Sequence, residues 1–336
     1  MRRLIGGTVV ALVALAAPAA AAGPTQVRRI AGADRYATAA ALAVDRFASA
    51  SDAVVARGDD PADALAGSYV AGTHIGPVLL AQQHAVPQAT LDALRSRGVR
   101  KVRILGGVGA LGPEVASQLQ AAGYEVERIA GTDRYGTAAA VARNPGAANV
   151  GVRGTQGRTA ILANGVRPAD ALSAGPLAFG QQWPVLLTTA GSLPTVTRQA
   201  LDDLGIQHVV VVGGTFAVGD AVVDQLRSSG RTVERVAGAD RESTATAVAD
   251  VLVAIGAPLT TVEVAASSSF ADALALGPHA APAAPVLLCH AVGDCGSTTL
   301  SWIAAHSATV DIVVIAGGTT VVGTTAEAQL RAAAGT

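Results

Sequence analysis

The sequence predicts three small doubly wound α/β modules in tandem. Three observations carry this. First, four blocks recur three times in the same order. Arg29-Ile30-Ala31-Gly32-Ala33-Asp34-Arg35-Tyr36 returns from Arg128 to Tyr135 and again from Arg235 to Glu242. Ala62-Asp63-Ala64-Leu65 returns as Ala169-Asp170-Ala171-Leu172 and Ala271-Asp272-Ala273-Leu274. Pro77-Val78-Leu79-Leu80 returns as Pro184-Val185-Leu186-Leu187 and Pro285-Val286-Leu287-Leu288. The pairs Gly106-Gly107, Gly213-Gly214 and Gly317-Gly318 are each followed by a further glycine, at Gly112, Gly219 and Gly323. A unit of about a hundred residues is too long for a solenoid repeat and suits a small domain. Second, short apolar runs alternate with helical stretches in each unit, which indicates a mostly parallel sheet covered on both faces. Third, half of the 336 residues are apolar but only 3% are aromatic. A core of Ala, Val and Leu requires tight packing and close backbone contacts.

The elements follow in order along the first unit. The Ala-rich stretch 36–47 reads as a helix, and 53–56 as a short apolar strand. Pro61 opens a helix running to about Thr73, and 78–81 is a strand. Pro87 opens a helix that ends before Gly98, 102–105 is a strand, and Pro113 opens a helix that ends at Gly123. Proline at a helix start and glycine just past its end is the expected asymmetry. Residues 126–130 then lead into the next copy. The second copy carries an extra Gly/Asn-rich loop over 144–157. The resulting division is 1–22, 23–125, 126–232 and 233–336.

The first of these segments stands apart. Arg2 and Arg3 precede a charge-free apolar run, Pro18 breaks it, and small residues lead to Ala22. This reads as a secretory signal peptide cleaved near Ala22, with an uncleaved membrane anchor as the alternative. No later stretch has the length and charge-free character of a membrane span. Export makes a disulfide between Cys289 and Cys295 permissible, and two free thiols remain open. Cys295 stands where the other copies have Pro87 and Pro194, so a bridge would pin that strand-to-helix loop. The net charge is −1, which excludes a globally basic nucleic-acid binder. All but one of the 24 basic residues are Arg, Lys101 being the exception. Nearly every cation is therefore a planar fork suited to carboxylate or phosphate groups.

The repeated polar residues are the candidates for function. Asp34, Asp133 and Asp240 each precede a helix and are placed to cap it. Arg35, Arg134 and Arg241 follow in the first helical turn, where the dipole disfavours a cation. They call for a partner, either an acid of the neighbouring copy or an anionic ligand. Tyr36 and Tyr135 follow in two copies, and Glu242 replaces them in the third. Asp63, Asp170 and Asp272 stand near helix starts as dipole-favoured carboxylates, and none is assigned as catalytic. Gly107-Val108-Gly109-Ala110-Leu111-Gly112 matches the dinucleotide fingerprint in form. Phe216 and Thr320 replace Gly109 in the other copies, so the block reads as a tight turn and no cofactor is expected. The six His residues do not recur, no metal ligand set appears, and no nucleophile elbow is present. Triplicated polar features fit a repeated binding module better than an enzyme.

With these blocks in view, the sequence resembles the cell wall binding repeat 2 family of secreted Gram-positive surface proteins. The resemblance rests on R-[IV]-A-G-x-D-R-[YE], A-D-A-L, P-V-L-L and the G-G-x(4)-G turn, and it spans residues 28 to about 334. It implies Rossmann-like or Toprim-like modules packed with pseudo-threefold symmetry, with the Pro-Val-Leu-Leu segments near the module contacts. It also implies a secreted, wall-associated protein held noncovalently by an anionic secondary polymer of the wall, with peptidoglycan the other candidate partner; the triplicated polar features argue for a protein without enzymatic activity. Ligand contacts would fall at Arg35, Arg134 and Arg241, with their Asp and Tyr neighbours, close to the clefts between modules. The expected arrangement is a binding unit without a separate effector domain. Two other functions compete: a secreted wall hydrolase using the repeated Asp residues, and a self-assembling surface-layer protein.

Overall fold

The computed structural model describes residues 25–336 apart from Ala62, Ala281 and Ala283. The signal segment expected over 1–22 lies outside the described residues. The first repeat runs β1 (Gln26–Ile30), α1 (Arg35–Arg46), β2 (Asp52–Arg57), α2 (Gly67–His74), β3 (Val78–Ala81), α3 (Gln88–Ser96), β4 (Lys101–Leu105) and α4 (Pro113–Ala121). The second runs β5 (Glu125–Ile129), α5 (Arg134–Arg143), β6 (Thr159–Asn164), α6 (Gly175–Gly180), β7 (Val185–Thr188), α7 (Thr195–Asp203), β8 (His208–Val212) and α8 (Asp220–Ser228). The third runs β9 (Thr232–Val236), α9 (Arg241–Ala254), β10 (Thr261–Ala266), α10 (Phe270–Ala280), β11 (Val286–Cys289), α11 (Gly296–His306), β12 (Ile312–Ala316) and α12 (Thr324–Ala333).

These strands form three four-stranded parallel sheets, ordered β3-β2-β4-β5, β7-β6-β8-β9 and β11-β10-β12-β1. Sequence repeat and sheet are therefore out of phase by one strand. Residues 126–130 were expected to lead into the second copy. Instead β5 pairs with β4, Val126 opposite Val102, and completes the first sheet. β9 completes the second sheet in the same way, with Val233 opposite Val209. The divisions at 125/126 and 232/233 thus fall inside strands of the preceding sheet. The third sheet takes its last strand from the start of the chain, with Val27 opposite Val313. That pairing closes the three modules into a ring.

Each sheet is covered on both faces. One central apolar cluster draws residues from all three modules, and three peripheral clusters each serve one sheet. The helices α2, α6 and α10 pack against one another at the centre. Small residues permit this approach. A Cβ added at Gly175 would lie 2.7 Å from the Gly277 Cα, and one at Gly72 would lie 2.4 Å from the Phe179 carbonyl oxygen. This is the packing consequence of a core rich in Ala and Gly. The helices α1, α5 and α9 bridge the joints. Each covers the edge strand of its own repeat (β3, β7 or β11) and touches the preceding module.

The helix expected from Pro61 starts later. A 3₁₀ turn at Ala64–Ala66 precedes α2, and a longer one at Pro168–Ala174 precedes α6. Only the third copy is α-helical from Phe270 onward. There Ser269 donates its hydroxyl to Asp272 Oδ2 at 3.0 Å, a Ser-x-x-Asp pairing that anchors the first turn, and Phe270 replaces the proline of the other copies. The extra loop of the second copy contains two 3₁₀ turns, Ala147–Asn149 and Gly154–Gln156.

Candidate functional site

The Asp-Arg pair that opens each repeat's first helix does two local jobs. Asp34 accepts from the Ala37 N–H at 2.8 Å, Asp133 from Gly136 at 2.7 Å and Asp240 from Ser243 at 2.7 Å. All three are N-caps. Arg35 donates Nη1 to the Gly58 carbonyl at 2.7 Å, Arg134 to Gly165 at 2.8 Å and Arg241 to Ser267 at 2.8 Å. Each therefore ties its helix to the loop that follows the repeat's second strand. Among the described residues none of the three forms an ion pair. The partner that the sequence required is a backbone carbonyl rather than a neighbouring acid, and the rest of each fork remains for other acceptors.

The double-glycine turns supply the facing wall. Gly106, Gly213 and Gly317 have φ of 97°, 111° and 100°, a conformation that favours glycine. Each is also closely approached by a carboxylate: a Cβ there would lie 2.8 Å or less from an oxygen of Asp63, Asp170 or Asp272 respectively. An arginine on the adjoining strand holds each turn. Arg128 donates to the Gly106 carbonyl at 2.7 Å, Arg235 to Gly213 at 2.9 Å and Arg29 to Gly317 at 2.7 Å. Sequence reasoning quoted these arginines as motif letters and gave them no role. Their signal was recurrence in all three copies at a strand end.

The acids and arginines meet across the joints, not within a copy. Burial pushes the Asp63 carboxyl up, while the Thr137 hydroxyl and the Arg134 charge pull it back. Burial likewise raises Asp170 against the field of Arg241, and raises Asp272 against Ser269 and the field of Arg35. Asp63 thus faces the second repeat, Asp170 the third and Asp272 the first. Two of these clefts enclose clear cavities. One of about 660 Å³ lies between the second and third modules, lined by Arg167, Asp170, Phe216, Asp240 and Arg241 among others. One of about 140 Å³ lies between the third and first, lined by Asp34, Arg35, Ser269, Asp272 and Thr320 among others.

The tyrosines explain a departure of the third copy. A Cβ at Gly58 would lie 2.6 Å from the Tyr36 ring, and one at Gly165 would lie 2.9 Å from that of Tyr135. Both rings therefore lie against a glycine. The third copy has Ser267 there, and the shorter Glu242 replaces tyrosine. Glu242 is buried, and His290 Nδ1 lies 3.3 Å from its carboxylate. The neighbouring Cys289 and Cys295 are joined in a disulfide at the start of α11.

The Pro-Val-Leu-Leu segments lie apart from the clefts. Val78, Leu79 and Leu80, Val185, Leu186 and Leu187, and Val286, Leu287 and Leu288 are buried edge-strand residues, following Pro77, Pro184 and Pro285. β3 touches α10, and β11 touches the 3₁₀ turn of the second module, so these strands border module joints. Among the described residues no cluster of three or more His, Cys, Asp or Glu is placed to hold a metal ion. No helix among them is long and apolar enough to cross a membrane.

Comparison with known proteins agrees with this architecture. Residues 29–116, 128–223 and 235–327 each match the family model for cell wall binding domain 2 (CWB2). The N-acetylmuramoyl-L-alanine amidase LytC of Bacillus subtilis (strain 168) is 31% identical over 249 residues, which are 74% of this chain and 47% of the amidase. The amidase enhancer of the same organism is 29% identical over 213 residues, 63% of this chain and 28% of that protein. The solved structure of Cwp6 from Clostridium difficile superposes with a TM-score of 0.76 at 26% identity, covering 91% of this chain and 48% of that one. Cwp8 from Clostridium difficile, at 23% identity and a TM-score of 0.76, shares the fold over 92% of this chain and 52% of its own. The chain spans about half or less of the length of these relatives.

Proposed function

The chain belongs to the cell wall binding domain 2 family, and on that premise we propose that it holds noncovalently to an anionic polymer of the cell wall through the clefts between its modules. The observation that carries this reading is the triplicated cleft, with an arginine of one repeat facing the helix-start acid and glycine turn of the module before it. Each arginine spends one nitrogen on a backbone carbonyl and keeps further N–H donors for anionic groups. Several weak contacts on one rigid ring add up through effective concentration when the polymer is itself repetitive. Binding without catalysis is supported by the state of the acids. One carboxylate of each cleft caps a helix, and the other is packed against a glycine turn. The near-neutral chain makes attraction local to the clefts, so it is screened by salt.

The test is retention of the purified protein on isolated walls, either intact or stripped of anionic polymer. Retention on intact walls alone, weakening with salt, is the expected result. Equal retention on both would assign the ligand to peptidoglycan and overturn the anionic-polymer reading.

A further inference from the structure

The three clefts share a frame, yet two positions on their rims differ in kind. The residue three before the helix-start acid is Asp60 in the first module, Arg167 in the second and Ser269 in the third. The residue at the tip of the double-glycine turn is Gly109, Phe216 and Thr320 respectively. Both substitutions in the second module line the same cavity of about 660 Å³. Phe216 is 88% exposed, the most exposed of the large apolar side chains among the described residues. A phenyl ring held in water beside a cavity is a feature of binding surfaces, since its burial is deferred until a partner arrives.

The charges point the same way. At equivalent positions the cleft between the second and third modules sets Arg167 and Arg241 against Asp170 and Asp240. The cleft between the third and first has Arg35 alone against Asp34 and Asp272, with Ser269 neutral. The cleft between the first and second has Arg57 and Arg134 against Asp59, Asp60, Asp63 and Asp133. Only the cleft between the second and third modules is free of an acidic surplus, so there the local field opposes an anion least. Resting on the wall-binding reading, we propose that the three clefts are unequal. The cleft between the second and third modules is the primary site, and it takes an anionic sugar. Arg167 and Arg241 receive the acid group, and the Phe216 ring covers the apolar face of the pyranose. Arg167 and Phe216 then determine specificity, while the other two clefts add weaker contacts to the same polymer.

The experiment is calorimetric titration of the whole protein with soluble probes, run beside wall retention. Oligogalacturonate supplies a carboxylated pyranose and phosphomannan oligosaccharide a phosphorylated one. Dextran supplies neutral sugar, and polyglutamate supplies anions without sugar. The expected result is one site for at least one acidic sugar, at least tenfold tighter than dextran and polyglutamate. Phe216→Ala and Arg167→Asp each weaken it at least tenfold, whereas Thr320→Ala and Gly109→Ala, at the equivalent turn tips, change it less than twofold. Both residues of the first pair lie on exposed loops, and their variants keep the wild-type circular dichroism. Retention on walls without acidic-sugar binding, or equal losses from all four variants, would overturn the unequal-cleft proposal and leave the wall-binding reading standing. Polyglutamate binding as tightly as the sugars would overturn the role of Phe216. Loss of wall retention in the wild type would instead overturn the functional reading itself.

Discussion

Two joints of the ring occupy equivalent places and are built from opposite chemistry. Where the second module meets α9, Ile161, Leu177 and Val251 form part of the shared apolar core. Where the third module meets α1, the corresponding residues are Glu263, His279 and Asp45. Glu263 is fully buried, and one of its oxygens lies 2.5 Å from His279 Nδ1. His279 Nε2 lies 3.0 Å from Asp45, which accepts two bonds from Arg28 at 2.7 and 2.8 Å. The first joint lies within continuous chain. The second joins the beginning of the chain to its last module, where β1 has no covalent link to β12. The ring is thus closed by a polar chain of four groups at the one joint that connectivity does not enforce. An apolar joint tolerates sliding, whereas a hydrogen-bonded charge network has one register.

The largest effect should come from breaking the polar joint on one side only. Glu263→Ala removes the buried partner of His279 Nδ1, leaves the imidazole only its contact with Asp45, and should cost about 3–5 kcal/mol. The double change Glu263→Ile with His279→Leu copies the apolar joint and should recover most of that loss. Urea denaturation of the three proteins reads both outcomes, and a double variant as unstable as the single one would break the comparison.

Next in size is the arginine that holds each glycine turn. Arg29→Ala should cost about 1.5–3 kcal/mol, the range for hydrogen bonds to charged groups. It should exceed Arg235→Ala, because Arg29 sits on the strand that closes the ring and pairs at 2.8 Å with the sheltered Glu327, whereas Arg235 pairs at 3.1 Å with the exposed Asp220. Equal costs would mean that ring closure adds nothing to the worth of the Arg29 bonds.

A smaller effect tests the altered third copy. Glu242→Tyr places a ring against Ser267 and should cost about 1–3 kcal/mol through overpacking. Adding Ser267→Gly restores the arrangement of the other two copies and should relieve it. Melting temperatures of the single and double variants check this.

The pH dependence sharpens the contrast between the joints most finely. His279 is buried, which lowers its pKa, but the hydrogen bonds and charges of Glu263 and Asp45 outweigh this and raise it above 6.5. Its contribution is therefore fully present below pH 6.5 and lost as pH rises through the raised value. Asp45 is held down at about 2, chiefly by its bonds to Arg28, so its contribution is present above 3.8 and lost as pH falls toward 2. The wild type should lose stability as pH rises above 6.5, and the apolar double variant should not. Parallel pH profiles would contradict this account of the joint.

Much of this molecule was legible in its sequence, because the repeats place the double-glycine turns, the Pro-Val-Leu-Leu strands and the main apolar runs three times. The parallel sheets and most helix bounds follow from local pattern. The phase of the strands does not. β5 reads equally well as the end of one module or the start of the next, since pairing partners of a parallel strand are remote and carry no local signature. The capping role of Asp34, Asp133 and Asp240 was local and readable. The meeting of Asp272 with Arg35 was not, because it depends on ring closure. Glu263 lay hidden in Val-Glu-Val, and His279 was set aside because it does not recur. A polar pair replacing Ile161 and Leu177 at matched positions was the available signal. Phe216 was noticed only as a lost glycine.

The most direct test of the central claim is salt-dependent retention on intact walls, comparing the wild type with a variant carrying Arg35→Gln, Arg134→Gln and Arg241→Gln. Glutamine keeps an N–H donor for the backbone carbonyl and removes the charge. The account predicts a folded variant whose retention at low salt falls at least tenfold and whose residual binding is less sensitive to salt. Undiminished retention with the wild-type salt dependence would contradict the clefts as the seat of wall binding.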